Sequence, residues 1–186
     1  MHGDGDGWSI GADGTRHWGR HGAAGLLLRA PDVDGTPMVL LQHRAAWSHQ
    51  GGTWALPGGA RDSHESTTHA AVREAHEEAG IDEAAVRVRG EVVTMRAESG
   101  WTYTTVVADV ERPLDTVANG ESTELRWVRE EDVDLLPLHP GFQAAWPTLR
   151  TTAVSLGTGE GAGCTVVLSG GGFGWGTGDE QRVSPA

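Results

Sequence analysis

Between residues 59 and 81 four glutamates, one arginine and two glycines stand at a fixed mutual spacing. Gly59 is followed by five residues and Glu65, then by seven residues and Arg73-Glu74, then by Glu77-Glu78 and Gly80-Ile81. The stretch from about Ser66 to Ala79 contains no Pro or Gly, carries Ala70, Ala71, Val72 and Ala75, and stops at Gly80. It predicts a single amphipathic helix with a glycine stop. On that helix Glu74, Glu77 and Glu78 fall at i, i+3 and i+4, so three carboxylates project from one face. Left alone they repel, and an isolated REAHEE is ordinarily a solvated acidic face. The neighbours overturn that reading, because seven fixed residues at this spacing arise by chance on the order of once in 10⁸ windows. Hard divalent cations such as Mg²⁺ take oxygen ligands, keep several waters, and bind through a few carboxylates plus substrate phosphates. Three glutamates supply that partial cage, and Gly58 and Gly59 let the preceding loop approach it closely.

The rest of the chain is organised around this segment. Residues 1–20 are rich in Gly, Asp and His, with few large apolar groups beyond Trp8 and Trp18, and predict a loose N-terminal arm. From residue 21 to 150 the pattern is that of a domain. GAAGLLLRA and MVLLQHR are two apolar runs of strand length around PDVDGTP, which predicts a hairpin. AAWSHQGGTW predicts a loop forming a lip over a pocket. VRVRGEVVTMRA and WTYTTVVADV predict a longer hairpin turning at Glu98-Ser99-Gly100, and ELRWV predicts another strand. EEDVDLL and GFQAAWPTLR predict a helical turn and a C-terminal helix that Pro147 bends or ends early. Residues 151–186 hold ten glycines in 36 positions and predict a Gly-rich extension, in which TVVLS is the one segment able to add an edge strand.

Composition limits the partners. A chain of 186 residues is enough for one domain with a real core and short for two catalytic domains. A formal charge of −12 argues against nucleic acid and anionic membrane, both of which are bound by clustered Lys and Arg. The chain contains no lysine. A polyphosphate ligand must then be held by metal ions and a few local arginines. The single cysteine, Cys164, forms no internal disulfide, and no signal peptide or apolar span is evident, so a cytoplasmic location is expected.

The spacing from Gly59 to Ile81 matches the Nudix box at every position the pattern fixes, and the chain resembles a Nudix hydrolase of the mutator-type, house-cleaning group. The resemblance implies an α/β fold, the Nudix α/β/α sandwich, with a mixed sheet between the box helix and the C-terminal helix. It also implies a metal site for Mg²⁺ or Mn²⁺ made of Glu74, Glu77, Glu78 and the carbonyl of Gly59. Arg73 is expected to orient a catalytic glutamate, and Glu65 to brace the loop and the arginine from behind. The reaction implied is hydrolysis of a pyrophosphate bond in a nucleoside diphosphate linked to a further group X. Members of the family differ in their general base. The candidates here are Glu77 or Glu78 in the box and Glu121 or Glu124 downstream, of which Glu121 is preferred because it precedes Trp127 by six residues. Arg44 matches a phosphate-contacting arginine, and its guanidinium fork suits phosphate oxygens. Arg61 is a weaker candidate of the same kind. Trp54 and Trp47 flank the presumed base pocket, where an indole stacks on a nucleobase, with core packing the alternative for Trp54. His64, His69 and His76 invite zinc, but the family's metal sites are all-oxygen and these positions are variable.

Group X lies outside the box. Positions 95–97 read Met-Arg-Ala where ADP-ribose hydrolases carry proline, and Tyr103 comes later than the tyrosine of dinucleoside polyphosphate hydrolases. The NADH-hydrolase pattern and the coenzyme A signature are absent. A (d)NTP, including oxidised forms, is the expected small-molecule substrate. A nucleotide sugar, ADP-ribose or a pathway-specific nucleotide is the alternative, and a nucleotide-binding regulatory module is the non-enzymatic one. A homodimer is left open.

Overall fold

The box helix begins where a serine closes the preceding loop. The structure is a computed structural model that describes residues 3–150. The Gly-rich extension and the TVVLS segment expected beyond Arg150 lie outside the described residues. Ser66 is extended, and its hydroxyl accepts from His69 N at 3.1 Å, the N-cap of α1 (Thr67–Ala79). Replacing such a cap by alanine costs about 1 kcal/mol. Gly80, at φ 69°, closes the helix in the left-handed conformation, donating to His76 O while Ile81 N reaches back to Ala75 O. Ala70, Ala71, Ala75 and Ala79 are fully buried, so the face of α1 against the sheet is made of small side chains and the helix lies close to its strands.

The strands in chain order are β1 (Trp8–Ile10), β2 (Arg16–Trp18), β3 (Ala23–Pro31), β4 (Pro37–Arg44), β5 (Trp54–Ala55), β6 (Gly58–Ala60), β7 (Arg87–Arg96), β8 (Thr102–Asp109) and β9 (Ser122–Arg129). The main sheet has the order β5-β4-β3-β8-β7, with β6 paired to β3 and β9 paired to β4. Only the β3–β8 pairing is parallel, which makes the sheet mixed. β3 is apolar except for the buried Arg29, because both its faces are covered. Ala24, Leu26, Leu28 and Ala30 meet the alanines of α1, and Leu27 meets Phe142, Ala145, Trp146 and Leu149 of α2 (Pro140–Leu149) on the opposite face. This is the α/β/α sandwich with its mixed sheet between the box helix and the C-terminal helix.

β3 forks. Its end pairs with β4 through Arg29, Ala30 and Pro31, whereas its start pairs with β6 through Ala23, Ala24 and Gly25. Gln42 of β4 fills the fork, donating to Leu56 O at 3.3 Å and accepting from Ser122 Oγ at 2.7 Å. The end of β4 and the start of β6 thus become separate walls, and the box loop leaves from β6.

Both sequence-predicted hairpins and the ELRWV strand are present, and EEDVDL is a 3₁₀ turn at Glu130–Leu135. Two expectations change. Pro147 does not end α2, which continues to Leu149, because a proline in the last turn removes only one helical bond. Residues 1–20 are not a loose arm over the described part. β1 and β2 pair antiparallel with Trp8 opposite Trp18, and Gly5 N donates to Asp62 Oδ1 at 2.7 Å. The segment needs no core of its own, because cross-strand aromatic contact and bonds to the box loop hold it. No helix among the described residues is long and apolar enough to cross a membrane.

The N-cap of α2 is His139, whose Nδ1 accepts from Gly141 N at 3.1 Å, a bond that requires the neutral ring. Burial, aided by the charges of Arg44 and His49, holds this imidazole below its ordinary value of 6.5. The unfolded chain therefore takes the proton first, and the stability of the neutral cap is complete above about pH 6.5 and lost as pH falls towards the folded value. Chemical denaturation at a series of pH values from 7.5 to 5.5 will show the wild type losing stability relative to His139→Asn, a cap that does not titrate, as pH falls; the raised carboxyls of Glu74 and Glu78 act equally in both proteins. An identical slope in the variant refutes the assignment.

Candidate active site

Arg73 sits at the centre of the box. Its Nε and Nη2 grip the two oxygens of Glu65 at 2.7 and 3.0 Å, and Nη2 also donates to Ala60 O at 3.1 Å. Nη1 donates to Glu74 Oε1 at 2.8 Å and to Glu77 Oε2 at 3.4 Å. Glu65 in turn accepts from Asp62 N at 3.1 Å. The five donors of the guanidinium meet five acceptors on loop, strand and helix. Glu78 is anchored separately, accepting from Gly58 N at 2.8 Å. The structure thus brings together Gly59, Glu65, Arg73, Glu74, Glu77 and Glu78.

These carboxylates occupy different electrostatic positions. Hydrogen bonding from Arg73 pulls Glu65 below the usual carboxylate range. Glu74 is pushed up to about 7, because burial outweighs the attraction of Arg73 and the charges of Glu77 and Glu121 add to it. Glu78 is pushed up to about 8 by burial first and by Glu74 second, against the bond from Gly58. Arg73 itself is held more firmly protonated, its pair with Glu65 leading. The pairing of Arg73 with Glu74 favours the charged form of both partners; at Glu74 the loss of water is the larger effect.

Two observations fit a divalent cation to this cluster. The donors are all oxygen, the preference of Mg²⁺ and Mn²⁺. A Cβ at Gly59 would lie 2.7 Å from the Glu74 carboxylate, so only glycine lets the loop carbonyl and that carboxylate share one small space. Crowded, partly buried carboxylates of this kind are costly unless a cation neutralises them. Glu74, Glu77, Glu78 and the Gly59 carbonyl are the groups that would hold it. His76 is turned away to Ile81 O at 2.9 Å, and His64 lies with Asp4 and Asp62 beside the N-terminal hairpin.

Glu121 lies on a loop laid over the C-terminal end of α1. Val117 N donates to Ala79 O at 3.0 Å and Asn119 N to Glu78 O at 3.3 Å, while Asn119 Nδ2 reaches Glu77 O at 3.3 Å. The charge of Glu121 acts on both Glu74 and Glu78. Glu124 is instead paired with Arg126 on β9, at 2.6 Å. Arg44 is steadied by His49 O, 3.1 Å from its Nε, and its charge acts on Glu78, Tyr103 and His139.

Two substrate-binding candidates are otherwise engaged in the structure. Arg61 donates to His21 O from Nε and Nη2 at 3.1 and 2.6 Å and to Glu65 O at 2.8 Å, so it is a clamp between the start of β3 and the box loop. Trp54 is 5% exposed within the α2-side core, with the Arg126 guanidinium 4.7 Å from its ring centre and His43 at 4.9 Å. This burial agrees with core packing, the alternative given for Trp54 above. The reading of the sequence missed the amide of Gly58, the tether through Asn119 and the N-terminal hairpin. The hairpin had a signal in Asp13-Gly14 between WSI and RHW, a common turn pair between short strands.

A family model described as NUDIX domain matches residues 19–150. The chain belongs to the Nudix family. It is 61% identical over 160 residues to a provisionally named 8-oxo-dGTP diphosphatase 3 of Mycobacterium tuberculosis, covering 84% of this chain and 74% of that protein. The crystal structure of the Nudix hydrolase RenU from Mycobacterium smegmatis superposes with a TM-score of 0.75 at 62% identity, over 78% of this chain and 92% of that one. A nucleoside triphosphate pyrophosphatase/Nudix hydrolase fusion protein of Bifidobacterium longum is 41% identical over 167 residues, 86% of this chain and 34% of the fusion. As a Nudix hydrolase the protein is a divalent-metal-dependent enzyme that cleaves pyrophosphate bonds in nucleotides.

Glu65 is bonded to Arg73, which in turn holds Glu74 and Glu77, so its expected effect on the cation-holding face is transmitted through Arg73. Glu65→Gln keeps its size but loses the charge opposite the guanidinium, and supporting changes of this kind cost about 10–100-fold in metal affinity or activity. Titrating activity with Mg²⁺ will show a higher half-saturating concentration with the circular dichroism spectrum unchanged. A normal Mg²⁺ curve refutes the bracing role.

Proposed function

We propose that this Nudix enzyme hydrolyses (d)NTPs, oxidised ones included, with Mg²⁺ or Mn²⁺ as its cation. The observation that carries the reading is the intact all-oxygen cluster of Glu74, Glu77, Glu78 and Gly59, with the charges of Glu121 and Arg44 within electrostatic reach of it. Likeness to the provisionally named 8-oxo-dGTP diphosphatase supports the substrate class. A non-hydrolysing sensor has no use for a complete set of carboxylates.

When bound, the cation neutralises phosphate oxygens and lowers the pKa of a coordinated water. The chain's own groups do the rest. Arg44 orients a terminal or bridging phosphate by its fork. Arg73 fixes Glu74 and Glu77, and the Gly58 amide fixes Glu78, so the ligands need not be ordered when substrate arrives. Glu121 accepts the proton of the attacking water as a P–O bond forms and the P–O bond of the anhydride breaks, the leaving phosphate departing as an anion. Glu124, committed to Arg126, does not serve as the base.

Activity will be measured against dNTPs, 8-oxo-dGTP, ADP-ribose, dinucleoside polyphosphates and nucleotide sugars, with Mg²⁺ and with Mn²⁺. Turnover will be greatest in the (d)NTP group and will vanish with EDTA; preference for a nucleotide sugar or ADP-ribose would overturn the substrate reading. Glu77→Gln will abolish metal-dependent turnover while leaving the fold intact. Glu121→Gln will lower kcat by about 10²–10⁴-fold, the usual worth of a general base, and Glu124→Gln will leave it nearly unchanged. Equal effects at the two positions would remove Glu121 from its role.

A further inference from the structure

The hairpin of β1 and β2 precedes residues 19–150, the part shared with the NUDIX family model, and is an addition to the common domain. Its apolar side chains are unusually open: Trp8 is 47% exposed, Ile10 62% and Trp18 44%. Indoles that serve packing alone are more deeply covered on average.

The hairpin is nevertheless fixed at both ends. On one side Gly5 N donates to Asp62 Oδ1 and Ser63 N to Asp4 Oδ1, at 2.7 and 2.9 Å, tying it to the box loop just after Gly59. Behind it, Trp101 Nε1 donates to Gly19 O at 2.8 Å and the His17 ring stacks on Trp101 at 4.6 Å and 18°. On the other side Trp8 meets Trp18 and His49 edge-on, with centroids 5.3 and 6.4 Å away. His49 is the residue whose carbonyl steadies Arg44. Trp8 therefore stands over the span between the box loop and the loop that holds the phosphate-binding arginine.

We propose that Trp8, seated by Trp18 and His49, is the stacking platform for the substrate's nucleobase and a determinant of specificity. The proposal rests on the nucleotide reading above. A polyphosphate held between the box and Arg44 carries its nucleoside outward past His49, where Trp8 is half exposed. Among the described residues Trp54 is covered by Arg126 and His43, Trp101 by His17 and Trp146 completely, Trp127 is half-buried with its Nε1 donating to Leu114 O, and Trp18, 44% exposed, is the edge-on partner of Trp8 across the hairpin. Trp47, 74% exposed on the same loop as His49, projects much further into solvent than Trp8. Stacking tolerates every base and is strongest for the large faces of purines.

The test uses the full chain with Mg²⁺ and two substrates, dGTP and deoxyribose 5-triphosphate, which has the same polyphosphate and no base. Trp8→Ala will raise KM for dGTP about tenfold, equivalent to about 1.4 kcal/mol and within the range for one stacked base, with kcat nearly unchanged. Trp8→Phe will restore most of the loss, and neither variant will change KM for the base-free substrate. If Trp8→Ala melts early, Trp8→Leu, bulky but without a π face, carries the same expectation. An equal rise in KM for both substrates, or no rise for dGTP, overturns the platform while leaving the nucleotide reading in place. Absence of turnover with any nucleotide in the wild-type chain overturns the nucleotide reading, and the platform with it.

Discussion

The guanidinium of Arg73 is the contact on which the rest of the site depends. One planar group holds Glu65 of the loop, Ala60 of β6, and Glu74 and Glu77 of α1. With its donors committed to the protein, it cannot also bind phosphate; its work is to set where the carboxylates stand. A lysine at this position would present three donors from a point charge and could not match a two-oxygen grip on Glu65 together with two further carboxylates. The same arrangement explains why two neighbouring acids differ. Glu65 receives two of the bonds and stays readily ionised, whereas Glu74 receives one and lies in a drier place.

That hub works only because α1 comes close to the sheet. The alanines at 70, 71, 75 and 79 leave no bulky layer between helix and β3, and Gly59 leaves no Cβ between β6 and Glu74. Larger residues on the helix face would push α1 outward and separate Glu74 and Glu78 from the β6 backbone, since packed cores yield little to added volume. The fork of β3 contributes from the other direction. It gives β6 its own pairing partner, so the loop of Gly58 and Gly59 is backed by strand hydrogen bonds.

Much of this was legible in the sequence because it is encoded locally. Ser66, the alanine positions and Gly80 define α1 within its own length, and the turns at PDVDGTP and Glu98-Ser99-Gly100 define the two long hairpins. The parallel β3–β8 pairing and the fork were not legible, since they join segments far apart in the chain. Arg61 and Trp54 show the same limit from another side. Each is the right kind of residue beside the right loop, but its role was decided by neighbours such as His21, Glu65, His43 and Arg126. The N-terminal hairpin was overlooked for a compositional reason: glycine and aspartate suggested disorder, while the aromatic pairing and the anchors at Asp62 and Ser63 hold it.

The division of labour within the site follows from charge. Four carboxylates, Glu74, Glu77, Glu78 and Glu121, meet few compensating cations, and the chain as a whole carries a formal charge of −12. Protein groups alone would repel a polyphosphate, so attraction at that end falls chiefly to a bound cation and, on the reading proposed above, to Arg44. An interaction of that kind recognises phosphate and is indifferent to what the phosphate carries. Selection among nucleotides then falls to surfaces beyond the box, where a base meets the chain after its phosphates are placed. On the reading proposed above those surfaces are the loop after β4 and the hairpin before β3, which touch at His49 and Trp8.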